Sequence, residues 1–223
     1  MIYNVDQSNF QFMGGKSNLQ YVPSYKYLGV IITEYLDYDT NAEMLSKSAG
    51  RALGSVVAKL KASKYMGYST FTKLYDSCIC PIMEYASGVW GFKEYPKLMS
   101  IQNRAARCFL GVHRFTPTLA LEGDVGWLLP KYRRWLQMLR LWNRLNSLPV
   151  GRLTKHVFTN DYYMAVSEYK NWCYEIWNIF SLTGFEDLFI HRLPCDINII
   201  SDKLFHKQKD IWKAALVNKP KLR

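Results

Sequence analysis

Asp37 and Asp39 are the two carboxylates whose spacing comes closest to a metal-binding pattern in this sequence. Alternate residues of a β-strand point to the same face, so both side chains could contact one metal ion if this segment were a strand. Nucleotidyl transfer, however, needs carboxylates that hold two magnesium ions about 4 Å apart, and the sequence contains no adjacent Asp-Asp pair. The segment leads into Thr40-Asn41-Ala42-Glu43, which has the capping-box pattern. We therefore expect a polar helix start here rather than a metal site.

Other catalytic and phosphate-binding patterns are incomplete. Gly15-Lys16-Ser17 resembles the end of a phosphate-binding loop, but Phe10 stands where that loop needs its first glycine, so a hairpin turn is expected instead. No GxSxG or HExxH pattern occurs. The four histidines are scattered and are expected at the surface or at helix ends: His113, His156, His191 and His206. The sequence thus predicts no catalytic residue, no metal and no cofactor, and a protein that is not an enzyme.

The five cysteines form neither a disulfide framework nor a zinc pattern. Their number is odd, and Cys78 and Cys80 are two positions apart rather than three. Cys108 and His113 lack a second pair of ligands. We expect all five cysteines to be small buried residues in a reducing compartment. The remaining two are Cys173 and Cys195.

Two sets of basic residues fall at helical spacing. The first lies on a helix predicted from about Pro130 to Asn146 and consists of Arg133, Arg140 and Arg144, with Gln137 between them. The second lies on a helix predicted after Pro96 and consists of Lys97, Arg104 and Arg107. Positive charges in such rows contact phosphates without reading bases. The alternative is a solvated face, which is the better interpretation of any single residue; for the surface as a whole we favour phosphate binding.

Four tryptophans allow two interpretations as well. An indole can stack on a base, but at helical spacing among leucines it is more often part of a core. We therefore expect core positions for Trp90, Trp127, Trp135 and Trp142.

The elements that must position these residues are mostly helices. Residues 9–34 favour β-structure, with a hairpin connection at Gly14-Gly15. After Thr40 the apolar period becomes helical, and a second helix near Ser69 should be kinked or restarted by Pro81. Further helices are expected after Pro96, after a Thr116-Pro117 cap, and from about Pro130 to Asn146. Three more follow in 151–223, broken near Gly184 and Pro194, with Ser201 as a candidate cap. The predicted fold is mainly α, a helical bundle with a small N-terminal β-hairpin.

The composition points to a folded protein that meets a polyanion. The chain has 223 residues, of which 49% are hydrophobic and 15% aromatic, enough to bury a core. Its formal charge of +11 favours nucleic acid or an acidic membrane surface as a partner. The alternative is that the charge only keeps the protein soluble, and we favour nucleic acid over that alternative. No stretch approaches the roughly 18 apolar residues of a membrane span, and the N-terminus lacks a secretory signal pattern. We expect an intracellular protein that does not enter membranes, in the nucleus or the cytoplasm.

Several motifs in order resemble one known family. Tyr25-Lys26-Tyr27-Leu28-Gly29-Val30 resembles the KYLGV signature of LINE-type (non-long-terminal-repeat) retrotransposon reverse transcriptases. Pro81 to Tyr85 followed by Gly88-Val89-Trp90-Gly91 resembles the thumb segment of that family. The segment 101–107 (IQNRAAR) is similar to its "IQN" helix, and 121–127 and 131–134 are also similar to stretches of such elements. The resemblance covers about residues 9–146 and is weak beyond residue 150.

The resemblance implies a specific organisation. Residues 1–36 would be a residual palm-edge β element, with the KYLGV segment as the strand after the catalytic palm. Residues 37–148 would be a thumb-like helical domain and 149–223 a C-terminal helical extension. The family's aromatic-x-Asp-Asp polymerase motif would lie before Tyr25 and is missing. We expect that Met1 is an internal methionine that became a start and that both ends are cut.

Three functions are consistent with the sequence. The leading one is a non-catalytic fragment of an RNA-directed DNA polymerase that retains non-specific affinity for template–primer, whether RNA, DNA or a hybrid. The second is a helical module, derived from a transposon thumb, that binds a protein through exposed apolar patches. The third is a gene fragment whose product has no retained role.

Overall fold

The computed structural model describes residues 22–63 and 66–218 in full, together with the backbone of 13–14 and 17–18. Over these residues the chain is mainly α, with a small antiparallel β element before the first helix. This confirms the predicted fold class. The chain forms two compact units, one that ends at Asn41 and one that begins at Ala42, and each is described by itself.

Two short hairpins make up the β element. Strands β1 (Met13–Gly14) and β2 (Ser17–Asn18) pair antiparallel, as the Gly14-Gly15 connection predicted. Strands β3 (Ser24–Tyr27) and β4 (Val30–Thr33) pair with Tyr27 opposite Val30. The strand predictions for 9–12 and 19–21 lie outside the described residues.

The resemblance implied that the KYLGV segment is one strand, and this expectation is wrong: the segment forms the end of β3, a turn and the start of β4. It turns back on itself at Leu28 and Gly29, whose φ angles are 45° and 85°. Two consecutive positive φ angles are the geometry of the two-residue hairpin turn that matches the twist of its strands. Glycine adopts that geometry freely and leucine does not, so Leu28 holds a conformation that costs free energy.

The start of helix α1 (Asp39–Ala62) differs from the predicted capping box. Thr40 already lies within the helix. Asp37 precedes it instead: its Oδ1 accepts the N–H of Asp39 at 3.2 Å, and its own N–H donates to the Thr33 hydroxyl at 3.3 Å. Glu43, the other half of the predicted box, pairs with Lys47 at 3.0 Å and with Lys97.

Pro81 disturbs the next helical stretch in the predicted place. Helix α2 (Tyr68–Leu74) continues into a π-helical turn (Tyr75–Ile79) and then into α3 (Cys80–Met83). The N–H of Cys80 donates to the carbonyl of Tyr75, five residues earlier. Proline has no N–H to offer the regular ladder, and a wider turn before it accommodates that loss. Helix α4 (Ser87–Trp90) follows.

The middle helices begin and end close to their predicted positions. Helix α5 (Pro96–Leu110) ends at Gly111 in the left-handed conformation, with φ of 66°. Helix α6 (Thr118–Val125) starts after Pro117, so Thr116 is not its cap. Helix α7 (Pro130–Asn146) has the predicted bounds. A proline at the first helical position and a glycine after the last one explain this agreement.

The C-terminal part has four helices in the described residues rather than three. These are α8 (Leu153–Val166), α9 (Trp172–Thr183), the short α10 (Glu186–Ile190) and α11 (Ile197–Val217). Ser201 lies inside α11 and does not cap it. The carboxylate of Asp196 accepts the N–H of Asn198 at 2.8 Å and so takes the capping role.

Helix α7 lies at the centre of the second unit. Its Trp142 is fully buried, stacks on Phe189 at 5.4 Å and meets Phe158 edge-on at 5.4 Å. The indole N–H donates to the carbonyl of Leu193 at 3.0 Å. The aromatic core of α7 is therefore completed by residues from α8 and α10.

The tryptophan predictions are confirmed at three positions. Trp90, Trp127 and Trp142 are buried, while Trp135 is half-buried and donates its N–H to the carbonyl of Phe92 at 3.1 Å. The three buried indoles are closed to nucleic-acid bases.

Candidate nucleic-acid interface

The positive charge of the protein is concentrated in one stretch of the second unit. Residues 96–155 contain eleven lysines and arginines and only two acidic residues, Glu122 and Asp124. This stretch covers α5, α6, α7 and the start of α8, and it includes both predicted basic sets. The basic residues are Lys97, Arg104, Arg107, Arg114, Lys131, Arg133, Arg134, Arg140, Arg144, Arg152 and Lys155.

Two cations of α7 are free to meet an anion. Arg140 and Arg144 are exposed on the same face, four residues apart. Within the described part of the chain, neither guanidinium has a hydrogen-bond or ion-pair partner. An exposed guanidinium without a carboxylate presents all five N–H donors to a phosphate.

Arg133, the third predicted member of this set, is engaged inside the protein. Its Nη2 lies 2.8 Å from Asp76 Oδ1 on the π-helical turn, and its Nη1 lies 3.9 Å from Glu84 Oε1. Its side chain is 21% exposed. These contacts tie α7 to the π-helical turn, so Arg133 has less charge and less surface to offer a ligand than its two neighbours.

A polar cleft of about 320 Å³ joins Arg133 to Arg140. Gln137 lies between them and donates to Glu84 Oε2 at 2.8 Å. Ser201 of α11 faces the same cleft. The carboxylates of Asp76 and Glu84 balance the charges of Arg133 and Arg140, so the cleft itself carries no excess positive charge, and Arg140 presents its guanidinium at the exposed rim.

The predicted set on α5 is held by intramolecular contacts. Lys97 pairs with Glu43, the Nη2 of Arg104 donates to the carbonyl of Gly50 at 3.0 Å, and the Nη2 of Arg107 donates to the carbonyl of Thr116 at 3.0 Å. Lys97 and Arg104 thus fasten α5 to α1. Lys97 and Lys47 hold the pKa of Glu43 at about 2.

Arg134 is buried, which its position in the sequence did not indicate. It follows Arg133 but is only 1% exposed, and its Nη2 donates to the carbonyl of Lys93 at 3.0 Å. Burial lowers its pKa to about 10. Helical spacing predicts that Arg134 lies on a different face of α7 from Arg133, Arg140 and Arg144. It does not predict that this face is buried.

The other candidate site residues serve structural roles or face solvent. The carboxylate of Asp37 accepts the N–H of Asp39, the first residue of α1, so the interpretation of this segment as a polar helix start holds. The four histidines are exposed, as expected.

The prediction for the cysteines is wrong at Cys78, which is exposed, and Cys108 is half-buried. Cys80, Cys173 and Cys195 are buried, and burial raises their thiol pKa values, to about 12 for Cys80 and about 11 for Cys195.

The described residues contain neither a metal-binding cluster nor a membrane-spanning helix. No group of three or more His, Cys, Asp or Glu residues is placed to hold a metal ion in residues 22–63 and 66–218. None of the helices described is both long and apolar enough to span a bilayer.

Comparisons with known proteins add no relative. No protein-family model matches the chain, and neither the curated proteins nor the solved structures searched contain a match.

Proposed function

We propose that this protein binds the phosphate backbone of nucleic acid without reading its sequence, as a non-catalytic protein related to the segment that follows the polymerase site of LINE-type reverse transcriptases. The observation that carries the proposal is the charge of residues 96–155, eleven basic residues against two acidic ones. A net positive charge of this size attracts polyanions over distances comparable to the Debye length.

The contacts of individual residues indicate which basic side chains are available to bind phosphates. Arg140 and Arg144 are exposed and free of partners within the described residues, whereas Lys97, Arg104, Arg107 and Arg133 already bind groups of this chain. Four residues of helix rise about 6 Å, so the two free guanidinium groups can contact different phosphates. Backbone contacts of this kind give affinity without base preference.

A salt-dependent titration tests the proposal. The affinity of the full chain for a fluorescent primer–template hybrid is measured by anisotropy between about 50 and 200 mM salt, because each phosphate contact releases counterions. We expect log affinity to fall linearly with log salt and to be alike for unrelated sequences. Binding at low salt that is no stronger than that of a neutral polymer would overturn the proposal.

An exposed apolar row favours a second function, the helical module that binds protein. Leu153 and Val157 of α8 are 78% and 63% exposed, and Met164 continues the same row at 38%. Apolar side chains in a row on one helix are typical of helix-mediated contacts. If the hybrid does not bind, this second function takes the place of nucleic-acid binding. Val157→Asp, which puts a charge into the apolar row, should then weaken the complex with a protein partner, as measured by sedimentation velocity.

A further inference from the structure

The connection between α5 and α6 forms a short, well-anchored projection. We call residues 111–117 the tip loop. Gly111 ends α5 with φ of 66°, and the N–H of Val112 donates to the carbonyl of Arg107 at 3.2 Å. The N–H of Thr116 donates to the carbonyl of His113 at 2.9 Å, which closes a turn, and Arg107 binds the carbonyl of Thr116. The tip loop is therefore fixed by hydrogen bonds at both ends.

Phe115 stands at the end of this projection and faces solvent. It is 74% exposed, among the most exposed large apolar side chains of the described residues. The guanidinium carbon of Arg114 lies 4.7 Å from the Phe115 ring centroid, and the imidazole of His113 lies 5.1 Å from it. Exposure of an aromatic ring to water costs free energy. Phe115 therefore does not stabilise the core, and its exposed position needs another explanation.

Two arginines lie at the tip loop. Between Glu94 and Glu122 the sequence contains no acidic residue, and Arg107, in the last turn of α5, and Arg114, in the loop itself, are the basic residues nearest Phe115 in the sequence. Arg114 touches the ring itself, and Arg107 binds the base of the loop. A flat apolar surface beside cations is the combination that holds a base and its phosphate together.

We propose that the tip loop is a binding site for single-stranded nucleic acid, in which Phe115 stacks on an unpaired base and Arg114 contacts the adjacent phosphate. The proposal deepens the proposed function, on which it rests. It adds a contact that duplex backbone binding does not need, since bases within a duplex are already stacked on each other.

The surroundings favour an unpaired nucleic-acid strand over an anionic membrane or a protein groove. Membrane-surface binding requires a large apolar face, as on an amphipathic helix, whereas the tip loop offers one ring and the half-exposed Val112. A protein pocket would select for the ring without needing Arg114 against it and Arg107 at the base of the loop. Anionic vesicles are therefore included in the test as a competing outcome.

The test uses two oligomers that carry the same phosphates. One is oligothymidylate, and the other is an abasic deoxyribose-phosphate strand of equal length. Stacking adds affinity only to the first, and we expect the wild-type chain to prefer it by about ten-fold. Phe115→Ala should reduce this ratio to about one and leave abasic binding unchanged. Phe115→Trp should keep or increase the ratio, and Phe115→Leu, which is apolar but lacks a π-face, should lose it.

Tyr163 provides a matched control. It is 57% exposed and lies 5.7 Å from the guanidinium carbon of Arg192, so it shares the aromatic–cation pairing, but Asp161 and Glu168 lie near it in the sequence. Tyr163→Ala should leave the ratio unchanged. Melting curves confirm that each variant is folded, which the exposure of both rings makes straightforward.

Each outcome separates this inference from the proposed function. Equal binding of both oligomers by the wild type overturns the tip-loop site and leaves backbone binding standing. No binding of either strand or of the hybrid at low salt overturns both. Binding to anionic vesicles that Phe115→Ala abolishes, without any preference for bases, replaces the tip-loop proposal with a membrane contact.

Discussion

The guanidinium carbon of Arg134 lies 5.1 Å from the ring centroid of Tyr95, in the interior of the second unit. Tyr95 in turn meets Trp90 edge-on at 5.3 Å, and its hydroxyl donates to the carbonyl of Trp90 at 3.0 Å. One charged and two aromatic side chains thus form the contact between α7 and the segment 90–95. Since a buried cation is tolerated only where aromatic faces and carbonyl oxygens replace water, this contact should be sensitive to small changes.

Replacement of Trp90 by alanine tests this packing. The ring is fully buried and its N–H donates to the carbonyl of Tyr85 at 3.0 Å. We expect Trp90→Ala to lower the free energy of unfolding by about 3–5 kcal/mol in urea titrations. The neighbouring Val89 is 52% exposed, and Val89→Ala should change stability by less than about 0.5 kcal/mol. An unchanged midpoint for Trp90→Ala would mean that the indole is not a packing anchor.

Two glycines should respond to alanine in opposite directions. A Cβ at Gly91 would lie 2.8 Å from the Cβ of Arg134 and 2.5 Å from the carbonyl oxygen of Ser87, whereas a Cβ at Gly54 would meet nothing within 4 Å. Gly91→Ala should therefore destabilise the protein by about 1–3 kcal/mol through overpacking. Gly54→Ala, inside α1, should stabilise it by about 0.4–1 kcal/mol. Equal effects of the two substitutions in urea unfolding would contradict the close approach of Gly91 to α7.

Local backbone chemistry made much of the fold predictable. Pro130 and Pro96 begin helices, and Gly111 and Gly184 end them, because each residue favours its backbone conformation whatever surrounds it. Where two residues could play one role, the sequence did not decide. Asp196 and Ser201 are both good caps by residue type, and in the structure Asp196 is the cap of α11.

The candidate site was less predictable for a related reason. Arg133, Arg140 and Arg144 do share a face, as their spacing indicated, but spacing does not show which neighbours that face meets. Asp76 lies 57 residues before Arg133, and the ion pair between them depends on how the π-helical turn packs against α7. The burial of Arg134 depends in the same way on Gly91, whose lack of a side chain lets α7 approach.

Acid should weaken the contact between α1 and α5. Hydrogen bonds from Lys97 and Lys47 lower the pKa of Glu43 from its ordinary value of 4.5 to about 2. A carboxyl group with a lowered pKa in the folded state stabilises the fold above its ordinary pKa and loses that contribution as the pH falls towards about 2. Glu43→Gln should therefore lower Tm slightly at neutral pH and match the wild type near pH 2.

Because Glu43 is at the surface, the expected change is small, and a control is needed. Glu168 is exposed, and the described residues offer its carboxylate no ion-pair partner. Glu168→Gln should give the same Tm as the wild type at both pH values. A Glu43→Gln variant whose difference from the wild type persists at the lowest pH would refute the assignment to this carboxylate.

Purified protein should not extend a primer. The carboxylate of Asp37 accepts the N–H of Asp39 and stands 3.4 Å from the Thr33 hydroxyl, so it is engaged in the turn before α1. Two-metal chemistry needs carboxylates that are free to bind both ions. We expect no product from a primed template with nucleotides and either magnesium or manganese. Extension that disappears in Asp37→Ala or Asp39→Ala would show that this pair is a metal site after all.

The salt dependence of binding should identify Arg140 and Arg144 as phosphate contacts. Each contact contributes about 0.7–0.9 to the slope of log affinity against log salt, so the Arg140→Ala/Arg144→Ala variant should flatten the slope by about 1.4–1.8. Affinity should fall alike for all sequences. Arg133→Ala should instead lower Tm, because it leaves Asp76 and Glu84 without their cation, and should change the slope less.

A second double variant, which removes the same number of positive charges elsewhere, distinguishes specific phosphate contacts from an effect of net charge. Lys170 and Lys213 are exposed, and each has an acidic residue within three positions, Glu168 and Asp210. Lys170→Ala/Lys213→Ala removes two charges as well but should keep the wild-type slope. Melting curves must accompany both variants, because arginine stems also cover apolar surface. If the two double variants flatten the slope equally, binding follows the overall charge of the chain, and the α7 face has no special part in it.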